Sequence, residues 1–311
     1  KEYTLDLFLV GLHSFDTPWV GDIDEREVKV NQYKPYLNKV IIGPGIKYHG
    51  DNITDSLESY INLDEYILVL FDDNREMSEF NIPQFYQLCK SKNIKVIGNS
   101  HGNEDNPHDA SGKSYDDQMN FITGGIPAND TLKDIKCNQK HILIIANFLG
   151  NRNSIYPINL DHNFIQECGA LELSKEYNLP IKIKIKTRLD NPDYVTSINY
   201  IKSIINCEII ANTNNIDQLI ADSAIIISAP STLAFKPIQL GIPTVLIKGS
   251  GAIGDFKNYP GLVNLNKQEI FDNLQMQINH GKFSKFVEKT IAGGVNFNSS
   301  EVYIKKIKEL L

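Results

Sequence analysis

Short apolar runs of strand length alternate with stretches of helical spacing along nearly the whole chain. No other feature limits the fold as tightly, because a repeated strand–helix–strand order closes as parallel sheets with crossover helices. In the first part, residues 4–11 (TLDLFLVG), 39–43 (KVIIG), 66–71 (YILVLF) and 94–98 (IKVIG) read as strands. Residues 82–92 carry apolar positions at helical spacing, with Pro83 placed where a first helical turn tolerates it. A second series opens with the strand 141–147 (HILIIAN) and the helix 164–177. It continues with 181–186 (IKIKIK), a strand with one wet face, a helix at 194–205, a strand at 207–211 and a short helix at 216–222. Buried strands at 224–228 (AIIIS) and 244–248 (TVLIK) flank a helix near 232–240, and amphipathic helices at 267–280 and 301–311 follow. Between the two series, residues 104–140 are rich in Asn, Asp, Gly and Pro, with little periodicity beyond 119–122, and read as loops and a domain crossing. The expected architecture is therefore α/β, with two Rossmann-like domains (1–135 and 136–311) and a cleft between them.

Charge narrows the partners. Lysine and arginine number 31 against 38 acidic residues, a formal charge of −7, which argues against a general nucleic-acid coat. The four cysteines, Cys89, Cys137, Cys168 and Cys207, are far apart and form no CxxC pair. That spacing excludes a zinc ribbon and a disulfide scaffold and fits a reducing compartment. The first ten residues lack a basic–apolar–small cleavage pattern, and no apolar run nears the ~20 residues of a membrane span. The expectation is a cytoplasmic protein.

The most informative stretch is 222–243, DSAIIISAPSTLAFKPIQLGIP. It reads as a strand ending at Ser228, a turn of small residues, and a helix opening at Ser231 and Thr232. Hydroxyls and free backbone N–H groups at such a helix start suit a phosphate. Gly241 and Pro243 then stop the helix and start the next strand. An ordinary helix cap is the alternative.

This run resembles the donor-binding segment of GT-B glycosyltransferases, in particular the capsule and CDP-glycerol glycerophosphotransferase-like polymer transferases. Their pattern is Asp, an apolar strand, Ser, Ser/Thr, a helix, then Gly-x-Pro. The resemblance covers the second domain in motif and the first in fold order. It implies that the second domain grips the nucleotide of an activated donor and the first holds an acceptor. Such relatives carry a Glu in the helix for the donor ribose, where this chain has Lys236 and Pro237. A lysine cannot accept from ribose hydroxyls, although it can pair with phosphate, so Gln239 becomes the candidate for the ribose.

Other residues extend the reading. Arg152 (NFLGNRNS) and Arg188 (KIKTRLD) follow second-domain strands, and arginine forks match phosphate oxygens bidentately. Ser100, His101 and Gly102 follow the strand 94–98, which makes His101 a candidate general base. The resemblance adds a His-Gly of similar placement. His101, Glu104, Asp105, His108 and Asp109 also bear metal-ligand atoms, as do Asp72 and Asp73, although solvated loops and turns fit both groups. Asp16 and Asp22 lie after the first strand, with Trp19 between them as a stacking or packing aromatic. The glycines of 249–254 (GSGAIG) offer backbone N–H groups, but no clear helix follows them.

The expected function is transfer of a sugar from a nucleotide donor to an acceptor hydroxyl, on a surface polysaccharide or another glycan. Arg152, Arg188 and the Ser231–Thr232 helix start would stabilise the leaving nucleotide with Ser228, Lys236 and Gln239 nearby, without an obligatory divalent metal or other cofactor. His101, or Asp16 in its place, would take the acceptor proton. Three alternatives stay open: a sugar-nucleotide epimerase, a nucleic-acid-modifying glycosyltransferase, and a two-domain protein that closes on a ligand without chemistry.

Overall fold

The computed structural model describes residues 4, 6–9, 35, 38–42, 61–71, 82–98, 120–121, 125–146, 162–185, 192–211, 215–249, 254–281, 283–290 and 292–311. They fall into two compact units. The first holds those up to Phe121 together with Glu309–Leu311, and the second holds the rest.

In the first unit, β1 (Asp6–Leu9) pairs in parallel with β2 (Lys39–Ile42). A second parallel sheet runs β3 (Leu68–Phe71), β4 (Lys95–Gly98), β5 (Asn120–Phe121), with β4 in the middle. Helix α1 (Ile82–Ser91) makes the crossover from β3 to β4 and buries Cys89. At the amino ends of these strands the Tyr66 hydroxyl and the Asn38 amide both donate to the Asp6 carboxylate, at 2.6 and 2.9 Å.

The second unit is built on β6 (His141–Ala146), β7 (Ile181–Ile185), β8 (Cys207–Ile210), β9 (Ser223–Ser228), β10 (Thr244–Ile247) and β11 (Leu262–Val263). All pairings are parallel, in the order β11-β10-β9-β6-β7-β8. Numbered from β6, that is the 3-2-1-4-5-6 order of a doubly wound sheet, with its reversal between β6 and β9. Ile142, Ile144, Ile183, Ile185, Ile225 and Ile227 point to one face and are buried there. Covering them are α2 (His162–Glu167), α3 (Ala170–Tyr177), α4 (Pro192–Ile204) and α7 (Lys267–His280), through Ile165, Leu173, Ile201 and Leu274. Leu143, Ile145 and Ile226 point to the other face, against Ile220 of α5 (Ile216–Ala221) and Ile242. Each such side chain contributes roughly 1.5–3 kcal/mol by leaving water.

The helix expected over 164–177 is two helices. Gly169 breaks it with a left-handed φ of +69°, and a Cβ there would lie 2.5 Å from the ring of Phe271 on α7. The helix expected near 232–240 opens as a 3-10 turn, Thr232–Ala234, and continues as α6 (Phe235–Gln239). Gly241, at φ +68°, ends it as expected, with the Ile242 N–H closing on the Pro237 carbonyl at 2.9 Å.

The division between units falls between Phe121 and Gly125, earlier than the expected position after residue 135. The reason lies in a 3-10 turn, Pro127–Asp134, that belongs to the second unit. Four consecutive residues fasten it there. The Ala128 carbonyl accepts from Lys236 Nζ at 3.4 Å, and the Asn129 amide donates to Gln239 Oε1 at 2.6 Å. Asp130 accepts from the backbone N–H groups of Ser299 and Ser300, at 2.9 and 2.7 Å, capping α8 (Ser299–Leu310). The Thr131 hydroxyl reaches Asp217 Oδ2 at 3.4 Å.

The four cysteines are unpaired. Among the described residues no helix is long and apolar enough to cross a membrane.

Candidate functional site

In a doubly wound sheet the connections that leave the two strands beside the reversal run to opposite faces, and a ligand binds in the crevice outside those strands' carboxyl ends. Here those strands are β6 and β9. Ile145 pairs with Ser228, and the Ala229 N–H donates to the Ile145 carbonyl at 3.1 Å, so the two strands stay zipped to their ends. The chain then leaves β9 through Ala229, Pro230 and Ser231 into the Thr232–Ala234 turn.

Ser231 has extended backbone (φ −163°, ψ 162°), and its carbonyl accepts the Ala234 N–H at 2.9 Å. Its hydroxyl does not cap the turn. Among the described residues its Oγ is the buried side-chain oxygen with no hydrogen-bond partner, a costly state for a polar atom. Thr232, beside it, is exposed. A buried hydroxyl and an exposed one thus start a helical segment at the sheet's reversal point, as the motif implied.

The other described candidates have protein partners. Ser228 is buried and its hydroxyl donates to the Ala229 carbonyl at 2.7 Å. Lys236 makes a largely buried ion pair, with Nζ 2.6 Å from Asp217 Oδ1 of α5. Gln239 is buried, accepting from Asn129 and donating to the Gly294 carbonyl at 2.8 Å. Lys236 is therefore neutralised, and the Gln239 amide is taken up inside the fold rather than offered to a ribose. Lys236 and Gln239 thereby tie α6 to α5, to the Pro127–Asp134 turn and to Gly294.

His101, Asp16, Arg152 and Arg188 lie outside the described residues, as do Asp22, Trp19, Asp72, Asp73, Glu104, Asp105, His108 and Asp109. The strands that lead to them are described: β6 and β7 lead to Arg152 and Arg188, and β1 and β4 to Asp16 and His101. Each candidate thus follows the carboxyl end of a parallel strand. Among the described residues no group of three His, Cys, Asp or Glu is placed to hold a metal ion.

Sequence reasoning missed the partners that shape this edge. Asp217 lies in the expected short helix and Asn129 in the expected loop region, and neither was singled out, yet they fix Lys236 and Gln239. Lys184 sits in the alternating strand IKIKIK, where its neighbours gave no sign of a special role.

The opposite, amino edge is built for stability. Asp222, which opens the motif, closes α5, accepting from Asn138 at 2.6 Å, Lys140 at 3.0 Å and Gln218 at 2.7 Å. Burial by itself would raise its pKa, but these hydrogen bonds outweigh that and hold the carboxyl at about 2, against an ordinary 3.8. A depressed carboxylate stabilises the fold above its unfolded pKa, and that stabilisation is lost as pH falls through the folded value. Allowing for solvent screening, about 1–2 kcal/mol should disappear between about pH 5 and pH 2. Urea titrations at stepped pH should show this loss, and Asp222→Asn should flatten it while lowering stability at neutral pH. Nearby, His141 is buried, with Nε2 3.1 Å from both the Leu219 carbonyl and the Ser223 hydroxyl. Burial, then the charge of Lys182, push its pKa down, as befits a neutral structural imidazole.

No protein-family pattern matches the chain, and no curated protein matches it in sequence. Solved structures do resemble it in fold. The UDP-GlcNAc 2-epimerase from Neisseria meningitidis, bound to UDP-GlcNAc, aligns with a TM-score of 0.58 at 13% identity, over 98% of this chain and 91% of that one. The S. aureus MnaA–UDP complex aligns with a TM-score of 0.50 at 14% identity, over 91% and 92%. The wall teichoic acid polymerase TagF aligns with a TM-score of 0.49 at 16% identity, over 98% and 88%. At such identities a likeness speaks to fold alone. The chain has an α/β fold of the GT-B type, with two Rossmann-like domains.

Proposed function

We propose that the chain is an enzyme acting on a nucleotide-activated sugar, and that its second unit holds the nucleotide diphosphate where β9 gives way to Ser231 and Thr232. The unpartnered Ser231 hydroxyl at the reversal point of the sheet carries this reading. A phosphate oxygen there would accept from that hydroxyl, from the Thr232 hydroxyl and from N–H groups of the turn, satisfying an atom the protein leaves unbonded. The fold likeness to proteins that bind UDP-GlcNAc and UDP is consistent with it.

The reaction we infer is transfer of the sugar to an acceptor hydroxyl of a glycan. The glycosidic bond to the leaving phosphate breaks as the acceptor oxygen bonds to the sugar carbon. His101 takes the acceptor proton, with Asp16 next in line as base. Arg152 and Arg188 would stabilise the negative charge that grows on the nucleotide, so that no obligatory divalent cation is needed. Epimerisation of the sugar on its nucleotide is the second reading, favoured by the likeness to the Neisseria epimerase. Product analysis separates the two: an epimerase converts donor alone, whereas a transferase needs an acceptor.

The first test is thermal denaturation with UDP, CDP and their sugars. A ligand at ~100 times its Kd should stabilise the chain by about 2.7 kcal/mol. Arg188→Ala should then weaken nucleotide binding by roughly 10–100-fold, because hydrogen bonds to charged groups contribute ~1.5–3 kcal/mol. An unchanged affinity in a folded variant makes Arg188 a surface residue.

A further inference from the structure

Two lysines of β7 project from the same sheet face as Ser228, and among the described residues only one of them meets a carboxylate. Lys182 pairs with Glu208 of β8 at 2.8 Å. Lys184, two residues on, donates to the carbonyls of Ile185 and Ala211, at 2.5 and 2.7 Å, and among the described residues it meets no carboxylate within ion-pair distance. Carbonyl oxygens satisfy two of its three N–H groups but do not cancel its charge. A half-buried ammonium is ordinarily matched by an anion, as Lys236 is by Asp217. Burial lowers the Lys184 pKa, the expected result where no anion opposes it.

The strand register says where this charge lies. Lys184 pairs with Ile145, and Ile145 pairs with Ser228, so the three form one row across β7, β6 and β9. Adjacent strands are ~4.8 Å apart, which puts the backbones of Lys184 and Ser228 roughly 10 Å apart with their side chains on one face. The row spans the reversal point of the sheet at its carboxyl end. Lys184 stands on one side of the reversal and the Ser231–Thr232 turn follows β9 on the other, so an extended anion laid across this carboxyl edge would meet both.

We propose that Lys184 is a ligand-binding cation of the second unit, contributing its charge to a nucleoside diphosphate whose other contacts are at Ser231 and Thr232. This rests on the nucleotide reading above and assigns the charge to a residue that neither the motif nor the spacing singled out. It also replaces Lys236, whose charge Asp217 already takes up. The rival role is a strap, in which Lys184 only ties the end of β8 to β7.

Titration calorimetry with UDP and with CDP, at low and at high salt, distinguishes the two roles. Lys184→Met keeps the stem and removes the charge. Lys184→Gln removes the charge but retains an amide able to donate to the carbonyls, and it serves if the methionine variant fails to fold. Both should weaken binding roughly 10–100-fold at low salt and flatten its salt dependence, while Lys184→Arg stays close to wild type. Unchanged affinity in the neutral variants, or weaker binding with an unaltered salt dependence, overturns the proposal in favour of the strap. Wild-type protein that binds neither nucleotide overturns the nucleotide reading and this inference with it, whereas tight wild-type binding with indifferent variants overturns this inference alone.

Discussion

Replacing His101 by alanine should leave nucleotide binding intact and cut turnover by roughly 10²–10⁴-fold, the usual scale of general-base catalysis. In sequence, His101 and Gly102 come just after β4, the middle strand of the three-stranded parallel sheet, which ends at Gly98. An imidazole's ordinary pKa lies close to neutral, which suits it to take a proton as an acceptor oxygen attacks. His101→Asn should lose as much as the alanine variant, since an amide hydrogen-bonds but does not accept the proton. Comparing donor consumption with nucleotide affinity for each variant checks this. A purely structural histidine would lower stability with little specific loss of rate. A folded His101→Ala enzyme with near-normal turnover passes the role of base to Asp16, Asp22 or Glu104.

Phe235→Ala should destabilise the second unit by about 3–5 kcal/mol, the range for removing a fully buried phenyl ring. Phe235 has no exposed surface and stacks on Phe256 with ring centroids 4.4 Å apart. Phe256 lies in turn 6.2 Å from Phe286 and 6.3 Å from Tyr259, so the cavity would open beneath several rings at once. Tyr259 is itself pinned by its hydroxyl, which donates to the Thr244 carbonyl at 2.8 Å, and this limits collapse into the space. Urea unfolding should show a lower midpoint at an unchanged slope. A cost below about 1 kcal/mol would mean that the cluster closes over the gap. Because Phe235 opens α6, the variant should also loosen the Ser231–Thr232 turn and weaken nucleotide binding.

The strands were legible in the sequence because buried parallel strands are written as unbroken apolar runs. HILIIA, SAIIIS and TVLI announce themselves by composition alone. Leu262–Val263 did not, since two residues carry no period, and Pro127–Asp134 did not, since its anchors are polar. The break at Gly169 was hidden because periodicity continues across it, and the ring that leaves no room for a side chain there belongs to Phe271, about a hundred residues further on. At the site the division is similar. Turn chemistry located Ser231 and Thr232, a local property. The fates of Lys236 and Gln239 depend on Asp217 and on Asn129, 19 and 110 residues away, and no spacing rule reaches so far. The alternation in IKIKIK gave the wet face of β7 but could not say that Glu208 would meet Lys182 and leave Lys184 to carbonyls.

The pairing of β6 with β9 has a kinetic consequence. Its register joins His141 to Ser223 at a sequence separation of 82, while β6–β7 and β7–β8 join segments much nearer in sequence. Closing the longer loop costs more chain entropy before any contact repays it, so the half-sheet β6-β7-β8 can form first and β9 must dock onto it later. Ser231 hangs from the end of that late strand. On the nucleotide reading proposed above, binding competence arrives when β9 docks rather than growing in gradually. During refolding, nucleotide affinity would lag behind the recovery of secondary structure, and a chain caught before β9 docks would be ordered in half its sheet yet blind to its ligand.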